Sequence, residues 1–214
     1  MITFVSCPLT GHIIPLHSVL ITHNLKKSME EKTLYTLLVY SENLAGILNQ
    51  ITAVFTRRQV NIESLNVSAS SIDGIHKYTI TAWSDEDQIT KITRQIEKKI
   101  DVVKAIYYTD DELFIRETGL YKLATDVVLG NPEISRTIRR HEATITEVNP
   151  TYVIVMKNGR TEEILSLYKV LNDFNCVLQY TRSGRIAVTR STQEEVTDYL
   201  EQREKKVKGE EFFS

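Results

Sequence analysis

Cysteine is nearly absent from these 214 residues, and the two present, Cys7 and Cys176, lie far apart in the chain. That spacing builds neither a disulfide framework nor a metal or redox pair, so both are expected as free thiols of a reducing, cytoplasmic compartment. With four prolines and eight glycines, there is no room for a long disordered linker. Neither sign of charge is in excess: 26 Lys and Arg against 28 Asp and Glu give a net charge of -2 and an isoelectric point near 6.2. Such a balance exerts no long-range pull on nucleic acid or membrane. Long hydrophobic runs are missing as well. The most apolar early stretch, 13–25, falls short of the roughly 20 apolar residues that span a bilayer.

The motifs of catalysis are missing too. No G-x-G-x-x-G, Walker sequence, C-x-x-C or nucleophile motif occurs. The five histidines (12, 17, 23, 76 and 141) pair with no cysteine or carboxylate at ligand spacing, so no metal site is expected. The strands lack the basic-Gly-aromatic pattern that stacks RNA bases. Carboxylates are plentiful but fall on polar helix faces. The composition is that of a globular protein without a catalytic constellation of its own.

Residues 1–31 read as a tail outside the fold. The first 29 contain no Asp, Glu or Arg, yet hold three of the five histidines and two of the four prolines. Lys26 and Lys27 follow the apolar stretch instead of preceding it, which excludes a secretory signal, and the lack of Arg excludes a transit peptide. The segment is expected to be disordered or to lie upstream of a true start at Met29.

From Thr33 onward the pattern predicts strand, helix, strand, strand, helix, strand. Leu34 to Tyr40 is β-branched and aromatic-rich. Ala45 to Arg58 has helical periodicity, with Leu44, Leu48, Ile51 and Phe55 on the stripe and Ile47 and Val54 beside it. Strands follow at Ile62 to Ala69 and at His76 to Trp83, separated by an Asp73-Gly74 turn. Ser84-Asp85 opens a helix whose stripe is Ile89, Ile92, Ile96 and Ile100. Val102 to Tyr108 closes the unit.

The same order recurs after an acidic connection, Asp110 to Glu117. Leu120 to Val128 reads as a strand, and Asn131-Pro132-Glu133 starts a helix ending near Arg140. Thr144 to Val148 and Tyr152 to Met156 form a hairpin, and Asn158-Gly159 reads as a strand-to-helix loop. Thr161 caps a helix with Ile164, Leu167, Leu171 and Phe174 inward, and Val177 to Thr189 is the last strand. The expected fold class is therefore α/β (α+β), with two ferredoxin-like βαββαβ sandwiches over residues 32–109 and 110–190. Residues 191–214 carry a charged C-terminal helix, from about Thr192 to Lys208, with Val196 and Leu200 as its contact stripe.

One junction carries chemistry: Glu42-Asn43-Leu44-Ala45-Gly46-Ile47-Leu48, between the first strand and the first helix. Asn43 suits an N-cap. Gly46 costs ~1 kcal/mol as a helix former, but its missing side chain would let a ligand approach the free first-turn amides. Those amides and the positive end of the helix dipole favour a carboxylate. Asn61, opening the second strand, is a further polar anchor. An ordinary strand-to-helix turn with a tolerated glycine fits the same residues.

These residues also carry a family resemblance. Glu42-Asn43-x-x-Gly46-x-Leu48, then Phe55-x-Arg57-Arg58 and Asn61-Ile62-Glu63-Ser64-Leu65, resemble the ACT domain of the acetolactate synthase small subunit. Asp101-Val102-Val103-Lys104 is similar to that family's last ACT strand, and Arg116-Glu117 to its linker. Tyr180-Thr181-Arg182-Ser183-Gly184 and Thr189-Arg190 are similar to its closing segment. The resemblance spans roughly Lys32 to Arg190. It implies a regulatory subunit, without activity alone, that activates a separate catalytic large subunit and confers valine feedback inhibition in branched-chain amino acid biosynthesis. It implies no cofactor in this chain; thiamine diphosphate, magnesium and FAD belong to the catalytic partner. ACT domains of the family pair side by side as a homodimer and bind the amino acid at the seam. By motif, Asn43, Leu44, Ala45, Gly46 and Ile47 would line the effector (valine) site, with Asn61 reaching it from the opposing chain. Leu44 and Ala45 depart from the family's more usual acidic and small or Pro residues. A free-standing ACT-domain regulator of another enzyme or of transcription is the alternative, although it would need a DNA-reading helix and basic face that are not evident.

Overall fold

In the computed structural model, residues 4–6, 13–15, 32–192, 196 and 200 are described. The expectation for the 1–31 tail lies mostly outside them; within it, β1 (Phe4–Ser6) and β2 (Ile13–Pro15) pair antiparallel. The expected helix over 192–208 also lies outside them, except that Val196 and Leu200 are helical.

The N-terminal unit comprises β3 (Thr33–Glu42), α1 (Ile47–Arg57), β4 (Ile62–Ala69), β5 (Ile75–Ser84), α2 (Glu86–Glu97) and β6 (Val102–Tyr108). Its strands run β4-β5-β3-β6, all antiparallel. Period-two alternation sends Leu37 and Val39 of β3 and Tyr78, Ile80 and Ala82 of β5 toward the helices. There they meet Ile51, Val54, Phe55, Ile92 and Ile96 in one core. The helix expected to open at Ser84-Asp85 is α2, and Asp85 caps it, its carboxylate accepting from the Gln88 N–H at 2.7 Å.

The α1 stripe differs from the periodic reading. Ile47, Ile51, Val54 and Phe55 are buried, whereas Leu44 lies outside the helix and Leu48 is exposed. Counting the stripe from Leu44 turned the helix by a step, because Leu44 belongs to the preceding loop. Ile100 is likewise fully out in solvent, past the end of α2. On the edge strand β4, Leu65 packs against the core while Val67 and Ala69 are exposed.

The C-terminal unit comprises β7 (Leu113–Ala124), α3 (Thr125–Gly130), α4 (Pro132–Arg140), β8 (Thr144–Val148), β9 (Tyr152–Gly159), α5 (Thr161–Asp173), β10 (Val177–Arg182) and β11 (Ile186–Thr189). The order β10-β7-β9-β8 repeats that of the first unit, so both are ferredoxin-like. Asn131 caps α4, accepting from the Glu133 N–H, with Pro132 in the first turn.

Four expectations are corrected here. The acidic 110–117 connection is largely strand, since β7 already begins at Leu113. Leu113 and Ile115 alternate with Phe114 and Arg116, and their side chains find an apolar surface on the first unit. The strand ends at Ala124 instead of Val128; the Thr125 hydroxyl donates to the Asn149 carbonyl at 2.7 Å and the chain turns into α3. Asn158 and Gly159 complete β9, and Arg160, not Thr161, is the N-cap of α5. Finally, the last strand is broken into β10 and β11, which run down one edge of β7 on either side of residues 183–185. Gly184 has φ +77° there, and a Cβ on it would stand 3.2 Å from that of Ser64. The glycine lets this loop lie on β4.

The units share a third core. Leu38, Tyr40, Val103 and Tyr108, on the helix-free face of the first sheet, are covered by Leu113, Ile115, Ala187 and Val196. Lys77 Nζ also donates to the Ala187 carbonyl at 2.9 Å.

Candidate effector site

The β3–α1 junction is held from both sides. The Glu42 N–H donates to the Asp101 carbonyl at 3.0 Å, and the Asn43 N–H to the Gly74 carbonyl at 3.1 Å. Asn43, Leu44, Ala45 and Gly46 are exposed, while Ile47 is buried in the first core. Of the five junction residues, then, Ile47 offers a ligand its backbone but not its side chain.

Asn43 is not the N-cap. Gly46 is, with φ +92°, and it makes no side-chain cap hydrogen bond. A left-handed φ places a Cβ against the backbone, which is why glycine stands here. Gln50 N–H donating to the Gly46 carbonyl at 3.1 Å closes the first turn. The amides of Ile47, Leu48 and Asn49 come before that bond and are the orphan donors of a helix start. No acidic residue lies in the first turn of α1, so no side-chain charge opposes the dipole there. Nothing stands within 4 Å of where a Gly46 Cβ would be, leaving the approach to the amides open.

Asn61 is exposed, immediately before β4. It lies at the far end of α1, whose 11 residues span about 16 Å at ~1.5 Å each. Within one chain it is not brought together with Gly46. A cavity of about 390 Å³ opens beside it, lined by Lys32, Gln59, Val60, Glu63 and Trp83.

Sequence reasoning missed a buried ionic cluster at the joint between the units. Glu117 is 3% exposed and Arg185 5%. Glu117 meets Arg182 at 3.1 Å and Arg185 at 3.6 Å, and it accepts from the Thr161 hydroxyl. Arg185 also reaches Asp110 at 2.8 Å. Each carboxylate oxygen of Glu117 has a donor, which such burial requires. The signal lay in the two motif fragments, Arg116-Glu117 and Tyr180 to Gly184, whose members Glu117 and Arg182 meet here. Among the described residues no group of His, Cys, Asp and Glu could hold a metal ion, and no helix is long and apolar enough to cross a membrane.

Comparison with known proteins bears on both units. Residues 37–104 match the family model described as an AHAS small subunit-like ACT domain. Residues 116–191 match the model described as the small subunit of acetolactate synthase. The acetolactate synthase small subunit of Bacillus subtilis is 29% identical over 156 residues, covering 72% of this chain and 90% of that protein. That of Haemophilus influenzae is 29% identical over 152 residues, covering 71% and 93%. The acetolactate synthase small subunit of Thermotoga maritima shares the fold, with a TM-score of 0.67 at 23% identity over 75% of this chain and 99% of that one. With two adjacent family models, full-length relatives and a common two-unit fold all in agreement, the chain belongs to the acetolactate synthase small-subunit family.

Proposed function

We propose that this chain activates the thiamine-diphosphate catalytic subunit of acetolactate synthase and makes it sensitive to valine. The α1 start is the observation that carries the reading: three orphan amides, an uncompensated dipole and a left-handed glycine with open space above it. Such a start favours a small carboxylate. An α-amino acid carries one.

The second half of the site comes from a second copy. β4 is an edge strand, paired only with β5 among the described strands. Antiparallel pairing of two β4 strands about a two-fold axis at Leu65 sets Leu65 opposite itself and Asn61 opposite Ala69 of the other copy, because opposite residues must share a face. Ala69 pairs with His76, which pairs in turn with Ser41. That end of β4 therefore lies beside the β3–α1 junction, and Asn61 of one copy arrives at the helix start of the other.

Bound between two copies, valine need only prefer the dimer arrangement that activates less well, typically by about 1–3 kcal/mol. One methylene changes affinity by about 1–3 kcal/mol, so leucine and isoleucine substitute in part. The test is reconstitution with a catalytic subunit. Gly46→Asp adds both a Cβ at φ +92° and a charge against the amides. The variant is expected to keep activation and lose valine inhibition; full valine sensitivity in it would refute the site.

A further inference from the structure

Along β9 the buried residues are Val153, Val155, Lys157 and Gly159. The two valines lie in the second core. Lys157 follows them on the same face, a position that period-two alternation gives to an apolar side chain. It is 6% exposed, and lysine is almost never so buried without a close partner. Its cross-strand neighbour on β7 is Gly119, which offers no side chain. The carboxylate that pairs with it, Glu142, stands 3.9 Å from Nζ, and the Glu142 side chain is itself 88% exposed. That distance is beyond hydrogen-bond reach.

Lys157 opens into a cavity of about 380 Å³ between the end of α4 and the start of α5. Small-molecule sites usually hold ~300–1,000 Å³. Arg140 and His141 border the cavity at the end of α4 and Glu142 just after it, while Glu162, Glu163 and Ser166 border it from α5. A base in the last turn of α4 and acids in the first turn of α5 complement the two helix dipoles. Lys157 lies on a strand and answers neither dipole.

We infer that this cavity is a separate ligand site, for an α-amino acid with a short or polar side chain. Lys157 holds its carboxylate from the floor, and carboxylates at the rim hold its ammonium. Charge selects this class. A bare anion would meet Lys157 and Arg140 but also the acids around them, and a bare cation would meet those acids but also Lys157 and Arg140. A zwitterion sets each of its charges against the opposite sign. Glu163 is already engaged, its Oε2 accepting from the Arg160 N–H at 3.0 Å, so the ammonium falls to Glu142 and Glu162. Among the described residues no apolar side chain borders the cavity, so a branched aliphatic side chain gains little by entering it. The site thus differs from the β3–α1 junction in both place and ligand, and it stands whether or not that junction binds an effector.

The test is saturation-transfer NMR on the full chain with L-alanine, L-serine and L-glutamine at millimolar concentration. Binding of at least one is expected, while (S)-lactate and ethylamine, each lacking one of the two charges, give no signal. Lys157→Met keeps the length of the stem and removes the ammonium, and should weaken binding by ~tenfold or more, as loss of a charged hydrogen-bond partner does. The exposed pair Glu142→Gln and Glu162→Gln should weaken it comparably without touching the core, and Gly46→Asp should leave it unchanged. Melting curves show that each variant folds. Silence from all three amino acids overturns the inference, and so does lactate binding as well as alanine, because the site then takes a bare carboxylate. Binding that survives Lys157→Met, or that Gly46→Asp abolishes, places the ligand elsewhere and overturns it too.

Discussion

Glu117 shows how much one residue holds in this molecule. Its carboxylate is the shared partner of Arg182, Arg185 and Thr161. Glu117→Ala leaves the buried Arg185 guanidinium with Asp110 as its remaining ion-pair partner. Breaking a buried pair from one side costs about 3–5 kcal/mol. At the ~2–4 °C per kcal/mol usual for a chain of this size, a calorimetric Tm lower by roughly 6–20 °C is expected. A fall of less than about 2 °C would mean that solvent already screens the cluster. The nearby core supplies a pH prediction. Burial pushes the Cys176 thiol and the Tyr121 and Tyr180 phenols above their ordinary pKa values. Raised folded-state values favour the native state while these groups are protonated in both states. That advantage is present below the unfolded thiol value near ~8.5 and the phenol value near ~10, and it is lost as pH climbs past them. Tm should therefore decline steeply between about pH 9 and 11. In the folded Cys7→Ser chain, Cys176 should resist alkylation at pH 8 and react once urea unfolds it.

At the scale of elements, β4 makes the sharpest claim. Alternate N–H groups of an edge strand point away from its sheet. A proline scan through Asn66, Val67 and Ser68 should therefore weaken self-association, read by light scattering, at alternate positions. A uniform response along the strand would show that β4 is not a pairing edge. The elements also show what could be read in the sequence. The succession of elements along the N-terminal unit follows from hydrophobic period and turn residues, which are local, whereas its sheet order does not, because β3 pairs with β5 and β6, both distant from it in the chain. Ser84-Asp85 and Asn131-Pro132-Glu133 were legible as helix starts because that signal is local, and Asp85 and Asn131 turn out to be the caps. Gly46 and Asn43 exchanged roles, since a left-handed N-cap leaves no side-chain signature. The start of β7 was illegible: Asp110, Asp111, Glu112 and Glu117 read as a solvated connection. The arginines that bury Glu117 lie 65 and 68 residues downstream, and the sheet receiving Leu113 belongs to the other unit. No local window contains either.

At the scale of the whole molecule, these distant partners argue against two beads on a linker. The third core draws Leu38 and Tyr40 from near the start of the described fold and Ala187 and Val196 from its end, and β7 passes through both units without a break. Removing the C-terminal unit would bare the helix-free face of the first sheet, so neither unit is complete without the other. The full chain should accordingly melt in one calorimetric transition with equal calorimetric and van't Hoff enthalpies. Leu113, 1% exposed, sits where the two meet. Leu113→Ala removes buried methyl groups and opens a cavity, a change that typically costs about 2–5 kcal/mol. In a coupled molecule that loss lowers the single transition as a whole. If instead the Leu113→Ala scan split into an unchanged peak and a shifted one, the units would be independent. An effector signal arising at Gly46 could then not travel along β7 to the C-terminal sheet.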